Sequence, residues 1–306
     1  MDFGFALPQT GIHASPEAIV QAAQTAERLG YRTIWVLERL LRPLHPRGAG
    51  GLPGRPMPES YAVAYDPIET LTYVAARTDR IRLGTSILVA PFHVPVLLAK
   101  RLATLDRFSG GRAVAGLGLG WAEEEFETAG VPARGRGARL PEFIAAMRAA
   151  WGPDPVHFEG RHYRIPASQI NPKPVQPGGP RVIIAAREAA AVERAARIGD
   201  GLTAIPTDWA EFEGIVAGFR AAARTAGRDP GALPIIVRTN TTVTEAEARE
   251  PRGPLTGSQE QVVEDLRRLE RLGVAEVFFD MNRFGLAVDE QFRILERLRD
   301  ALRAAR

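Results

Sequence analysis

Eight short apolar or β-branched runs recur along this chain, each followed by a longer stretch of helical periodicity, and this alternation restricts the fold more than any other feature. The runs are Phe3 to Leu7, Thr33 to Leu37, Ile81 to Val89, Ala113 to Leu117, Arg181 to Ala185, Gly201 to Ile205, Ile235 to Thr239 and Glu276 to Asp280. Parallel strands need a long crossover to return to the same edge, and a helix is the usual one, so the alternation reads as successive βα units. Within the crossovers apolar residues recur at steps of three or four, as in Ile68, Leu71 and Ala75, then Leu98, Leu102 and Leu105, then Val262, Leu266 and Leu269. Each helix therefore has one face to bury. Helix starts are marked as well: Ser15 and Asp66 each precede a proline, and Asp66 with Glu69, Asp208 with Glu211 and Ser258 with Gln261 have the spacing of a capping box. Eight such units in 306 residues predict one α/β domain over residues 1–306, a (β/α)8 TIM barrel with insertions at its C-terminal rim, in preference to an open doubly wound sheet.

Two stretches depart from the alternation. Residues 38–65 follow the second strand and are rich in Pro, Gly and Arg, which predicts a rim loop over the mouth of the barrel, where such folds keep their active sites. Residues 152–180 precede the fifth strand and contain "VHFEGRHYRIP", whose Glu159 and Gly160 predict a small hairpin embellishing the barrel.

Composition excludes several chemistries. With no cysteine, disulfides, thiolate metal sites and cysteine nucleophiles are ruled out. The five histidines are scattered without metal-ligand spacing, so no metal is expected, and neither a nucleophile elbow nor a phosphate-binding P-loop is present. The formal net charge is only +3, and arginines interleave with acids along the helices, a pattern that argues against nucleic acid as a partner. No apolar run is long enough for a membrane span and the N-terminus lacks the features of a signal peptide, so the expectation is a cytoplasmic protein acting on a small molecule.

In a barrel of this type the last residue of each strand and the loop after it carry the ligand contacts. Three places stand out. The fourth strand ends in "GLGLGW", where Gly116, Gly118 and Gly120 fall on one face and leave a strip of bare backbone against which a flat ligand can lie, or which simply relieves crowding inside the barrel. The second strand runs into Glu38 and Arg39, with Arg42, His45 and Arg47 in the loop beyond. A helix begins just after the fifth strand, at Ala185, Ala186 and Arg187, and its free backbone donors make a candidate phosphate site. The third strand, "RIRLGTSILVAP" from residue 80 to 91, places Gly84, Thr85 and Ser86 inside an apolar run, which marks a bulge or the close approach of another group.

Taken in order, "ERLGYRTIWVLERL", "RIRLGTSILVAPFHVPVLLAKRLATLDRFSGGRAVAGLGLGW", "NPKPVQ" and "AARIGDG" resemble the luciferase-like oxidoreductase superfamily, and most of all its deazaflavin-dependent branch, which uses coenzyme F-420. The resemblance spans nearly the whole chain. It implies hydride transfer between F-420 and a small organic substrate, a homodimer, and a non-proline cis peptide between Ser86 and Ile87 behind the central ring of the cofactor. By the same resemblance Phe5, Glu38, Arg39, Ser86, Ile87, Gly118 and Gly120 line the cofactor, and Ala185, Ala186 and Arg187 hold its phosphate. Glu38, His45 and Trp121 are the candidate catalytic residues, with Arg39, Arg42 and Arg47 placed to hold an acidic substrate or the acidic tail of the cofactor.

There are departures from the family pattern. Many members carry an acid followed by His after the second strand, where this chain has Glu38 and Arg39, and arginine stays protonated and cannot shuttle a proton. Sugar-phosphate dehydrogenases of the branch carry a glutamate just after the fourth-strand glycines, where this chain has Trp121; many relatives have Gly-Gly-Ser where this chain has Ala185, Ala186 and Arg187. Two alternatives stand beside the F-420 reading: an FMNH2-dependent monooxygenase of the same superfamily, using FMN as its cofactor, and a cofactor-free binding barrel.

Overall fold

A computed structural model describes residues 1–47, 57–241 and 243–304. Its strands are β1 (Asp2–Ala6), β2 (Thr33–Val36), β3 (Arg82–Thr85), β4 (Leu88–Val89), β5 (Ala113–Gly118), β6 (Val156–Glu159), β7 (Arg164–Ser168), β8 (Arg181–Ala185), β9 (Gly201–Ala204), β10 (Ile235–Thr239) and β11 (Glu276–Phe279). The main sheet runs β3-β2-β1-β11-β10-β9-β8-β5-β4, every neighbouring pair is parallel, and a further β3–β5 pairing closes it. This is a (β/α)8 TIM barrel in which β3 and β4 together serve as the third staves. All eight expected strands are present. The third is split at the Ser86–Ile87 peptide, which is cis, and pairing resumes on the far side with Leu88 opposite Leu117 and Val89 opposite Gly118.

Nine α-helices among the described residues follow these strands: α1 (Pro16–Arg28), α2 (Pro67–Ala75), α3 (Pro95–Phe108), α4 (Glu123–Thr128), α5 (Arg136–Trp151), α6 (Ala189–Ile198), α7 (Trp209–Thr225), α8 (Gln259–Arg271) and α9 (Val288–Ala304). Ser15, Asp66, Asp208 and Ser258 all cap their helices through side-chain oxygens. Only Ser258 with Gln261 forms a reciprocal box. Glu69 and Glu211 turn instead to Arg101 and Arg187, because a full ionic partner outcompetes a single backbone amide.

Strand alternation sorts the apolar side chains into two layers. Ala6, Trp35, Val114, Ile183, Ile236 and Phe278 point inward and fill the barrel. Their sequence neighbours point outward and pack beneath the helices as the larger core. Phe5 is one of these: it stacks on Phe292 with ring centroids 4.2 Å apart and meets Tyr31 edge-on. It therefore belongs to the helical layer, and its expected role in lining the cofactor is corrected by the period of two.

The expected hairpin is β6 with β7, closed by a bond from the Gly160 amide to the Tyr163 carbonyl. It does not sit on the C-terminal rim. The segment joins the end of α5 to the start of β8, and Lys173 and Gln176 tie it to the C-terminal ends of α5 and α3, so it covers the opposite face. The rim loop contains a short 3-10 turn at Glu59–Ala62, and its central part, residues 48–56, lies outside the described residues. None of the described helices is long and apolar enough to cross a membrane.

Candidate functional site

The C-terminal mouth of the barrel is organised by the bulge in the third stave. The Ser86 amide donates to the Val36 carbonyl at 2.6 Å and the Glu38 amide donates to the Ile87 carbonyl at 3.1 Å, so the bulge is stitched to the end of β2. Glu38 is thereby turned into the barrel wall and buried. Its Oε2 accepts from the Val89 amide at 2.6 Å, and Oε1 and Oε2 stand 2.9 and 3.2 Å from Nε2 of His93. A carboxylate and an imidazole in hydrogen-bond contact form a unit able to hold and pass a proton.

A charged pair lies beside it. From β10, Arg238 donates to the Ser86 carbonyl at 2.7 Å, to Asn240 Oδ1 at 3.1 Å and to Oδ2 of Asp280 at 2.6 Å. Burial favours the neutral guanidine, yet Asp280 and Tyr61 beside it outweigh that effect and hold the Arg238 pKa above its ordinary value. The cation is thus fixed against the cis peptide. Beside Arg238 and Asp280 is a cavity of about 10 Å³, the size of one water molecule, lined also by Gln9, Thr10, Trp35 and Ser86.

Why β5 needs its glycines also becomes clear here. A Cβ on Gly116 would collide with the Thr85 carbonyl oxygen, and one on Gly118 would meet the Ile87 side chain at 2.7 Å. Thr85 Oγ1 both accepts from the Gly116 amide and donates to its carbonyl, each at 2.9 Å. The strip is therefore occupied by the neighbouring bulge, and the expectation of bare backbone facing a flat ligand is corrected at Gly116 and Gly118. Gly120, at a φ of 71°, is in the left-handed region, and a Cβ there would press on Val89.

Arg39 lies between two aromatic rings, 4.9 Å from the centroid of Tyr61 and 4.8 Å from that of Trp121, and donates to Glu125 Oε2 at 2.8 Å. Trp121 is half-buried and serves, in this arrangement, as one face of the guanidinium clamp. Arg42 pairs with Glu59 at 2.5 Å, and Arg47 pairs with Glu127 while its amide donates to Glu124 at 2.6 Å. The three rim arginines expected to hold an acidic ligand are each engaged by a protein carboxylate, Arg39 and Arg47 by the acidic α4 and Arg42 by Glu59 of the rim loop itself. His45 is exposed and is not brought to the Glu38–His93 pair.

At the fifth-strand helix, Ala185 ends β8, the Ala186 amide donates to the Thr203 carbonyl at 3.3 Å, and α6 starts only at Ala189, where no side chain caps it, so its first amides are unclaimed by a cap. Arg187 does not join them. Its Nε and Nη2 hold Glu211 of α7 at 2.5 and 2.9 Å, and that pairing lowers the Glu211 pKa.

Sequence reasoning missed His93, Arg238 and Asp280. Each had a signal: His93 follows the third strand within "APFHVP", and Arg238 and Asp280 occupy the ends of the seventh and eighth strands. For His93 the signal is its position just past a strand end, which metal-ligand spacing does not register.

Comparison with known proteins gives a consistent outcome. A family model for luciferase-like monooxygenases matches residues 1–252. An uncharacterised protein of Mycobacterium tuberculosis is 33% identical over 287 residues, covering 92% of both chains. An F-420-dependent glucose-6-phosphate dehydrogenase of Amycolatopsis mediterranei is 33% identical over 190 residues, 61% of this chain and 52% of that protein. An FMNH2-dependent dimethylsulfone monooxygenase of Pseudomonas putida is 35% identical over 128 residues, 41% of this chain and 35% of that one. Among solved structures, the monooxygenase RslO1 of Streptomyces bottropensis superposes with a TM-score of 0.80 at 22% identity, covering 100% of this chain and 99% of that one.

Proposed function

The chain belongs to the luciferase-like monooxygenase family, whose relatives include both F-420-dependent and FMNH2-dependent enzymes, and from that premise we propose that it exchanges a hydride between coenzyme F-420 and a small organic substrate at the barrel mouth. The observation that carries this reading is the buried Glu38–His93 pair, with 2.9 Å between Oε1 and Nε2, set beside the Ser86–Ile87 bulge. F-420, when bound, supplies the hydride chemistry. The chain's own residues fit such a group. Ile87, backed by the glycines at 118 and 120, offers an apolar wall to a flat ring, and the uncapped start of α6 offers backbone donors to a phosphate. Glu38 holds a proton at Oε1 and His93 relays it toward solvent, a task that neither Arg39 nor Trp121 can perform.

F-420 is preferred over FMN on the resemblance of the segments quoted above to the deazaflavin-dependent branch, while flavin-dependent relatives align over comparable lengths, 62% of this chain for a trigonelline monooxygenase of Acinetobacter baylyi. The FMNH2-dependent monooxygenase is the second reading. Anaerobic absorbance titration with F-420 and with FMN separates them: F-420 is expected to bind at micromolar concentration, and oxygen uptake dependent on FMNH2 would transfer the assignment to the second reading. Binding of neither overturns both. In F-420-linked turnover, Glu38→Gln is expected to lower the rate by about 10²–10⁴ with cofactor affinity retained. An unchanged rate would remove Glu38 from the proton path.

A further inference from the structure

Three hydrogen bonds hold the backbone of Ser86 and Ile87, the two residues between β3 and β4. Two of them come from the adjoining stave, through the Val36 carbonyl and the Glu38 amide. The third comes from Arg238, whose Nη1 donates to the Ser86 carbonyl at 2.7 Å. In the order β3-β2-β1-β11-β10, Arg238 stands four staves away from β3, on the opposite side of an eight-stave barrel. The guanidinium therefore crosses the lumen to reach the bulge.

The period of the strands explains how it gets there. Ile236 and Phe278 point into the barrel, so Arg238 and Asp280, each two residues further along, belong to the next inward layer, at the mouth. Asp280 Oδ2 and Asn240 Oδ1 accept from the same guanidinium at 2.6 and 3.1 Å. Three acceptors thus fix a planar cation whose donors are set at rigid angles, a task that a lysine ammonium on its flexible stem does not match. Held in this way, the side chain is a strut, and its charge strengthens the bond to the carbonyl.

The strut bears on the surface that a ligand meets. Ile87 is half-buried, whereas Gly84 to Ser86 before it and Leu88 to Ala90 after it are buried, so Ile87 is what this part of the third stave presents. Its carbonyl also accepts from the Glu38 amide at 3.1 Å, which passes any shift of the bulge on to Glu38.

We propose that Arg238 is a positioning residue of the candidate site: from the far side of the barrel it sets where the Ser86–Ile87 wall stands, and Asp280 and Asn240 aim it. The proposal rests on the reading that a flat cofactor ring lies against this wall. Arg238 acts through the Ser86 carbonyl and needs no contact with the ring.

The test uses the full chain with carbon-13-labelled isoleucine δ1 methyl groups, as wild type, as Arg238→Met and as Arg238→Met with Asp280→Asn. The double variant leaves no buried carboxylate without its cation. In the absence of cofactor, the Ile87 methyl signal is expected to move in both variants, while that of Ile215, buried in the helical layer on α7, stays in place. In absorbance titrations both variants are expected to bind F-420 about tenfold less tightly than wild type, as for a wall displaced by the loss of a charge-assisted bond. An Ile87 signal that does not move, Ile87 and Ile215 signals that move together, or an F-420 Kd unchanged in the variants overturns the proposal. Should Arg238→Met fail to fold, the double variant supplies both measurements. If wild type takes up FMN in place of F-420, the Kd comparison is made with FMN. If it binds neither, the oxidoreductase reading falls by itself, and the methyl signals still decide whether Arg238 holds the wall.

Discussion

Glu276 shows how a single side chain couples burial to pH. It sits at the start of β11, at the end of the barrel opposite the mouth, and accepts from Trp35 Nε1 at 2.7 Å and Thr33 Oγ1 at 3.0 Å. Burial is the dominant influence and pushes its pKa up to about 7, the two hydrogen bonds pulling back only part of the shift. The folded state therefore keeps a proton that the unfolded chain releases near pH 4.5. The sign follows: the stability this group contributes is fully present below pH 4.5 and is lost as pH rises to about 7. The loss comes to about 3 kcal/mol. Glu276→Gln keeps an acceptor for Trp35 and removes the titration, so its unfolding free energy relative to wild type is expected to improve by about that amount between pH 4.5 and 8.5. Denaturant melts at the two pH values check this, and a difference that does not vary with pH would remove Glu276 as the cause. At the mouth the same scale explains what the histidine count concealed: His93 matters through one contact with Glu38.

Between elements, the strongest tie at the rim is the one Arg39 makes. It joins the segment after β2 to α4 through Glu125, which is fully buried and also accepts from the Leu40 amide at 2.8 Å. Removing the guanidinium leaves a buried carboxylate with one backbone donor. Arg39→Ala is expected to cost about 3 kcal/mol and to speed amide hydrogen exchange over residues 38–44 and α4, with Glu125→Gln in the same chain recovering at least half of the loss. A cost below about 1 kcal/mol would show that the ring contacts with Tyr61 and Trp121 hold the loop without the ion pair. The caps were legible at this scale because capping is local: Ser15, Asp66, Asp208 and Ser258 each act within three residues. The partners of Glu69 and Glu211 were not, since Arg101 and Arg187 arrive from other elements.

For the whole molecule, closure of the barrel brings the ends of β1, β2, β4, β10 and β11 to one rim, so a ligand bound there touches staves from both ends of the chain and stabilises all of them at once. Saturation with F-420 at 100 times its Kd is expected to add about 2.7 kcal/mol and raise Tm by a few degrees. A rise with FMN alone would favour the second reading, and no rise with either would favour a cofactor-free barrel. What the sequence by itself determined was the eightfold alternation, the staves to within a residue or so at most boundaries, the helix caps and the interruption at Gly84 to Ser86, all of which depend on neighbours along the chain. Only the tertiary structure decided that the β5 glycines make room for Thr85 and Ile87, that Phe5 packs outward on Phe292, that the rim arginines are neutralised by α4 and Glu59, and that Arg238 of β10 is fixed on Asp280 and the Ser86 carbonyl. The reason is physical: propensity and period are set over a few residues, whereas charge pairing and steric fit depend on groups that meet only when the barrel closes.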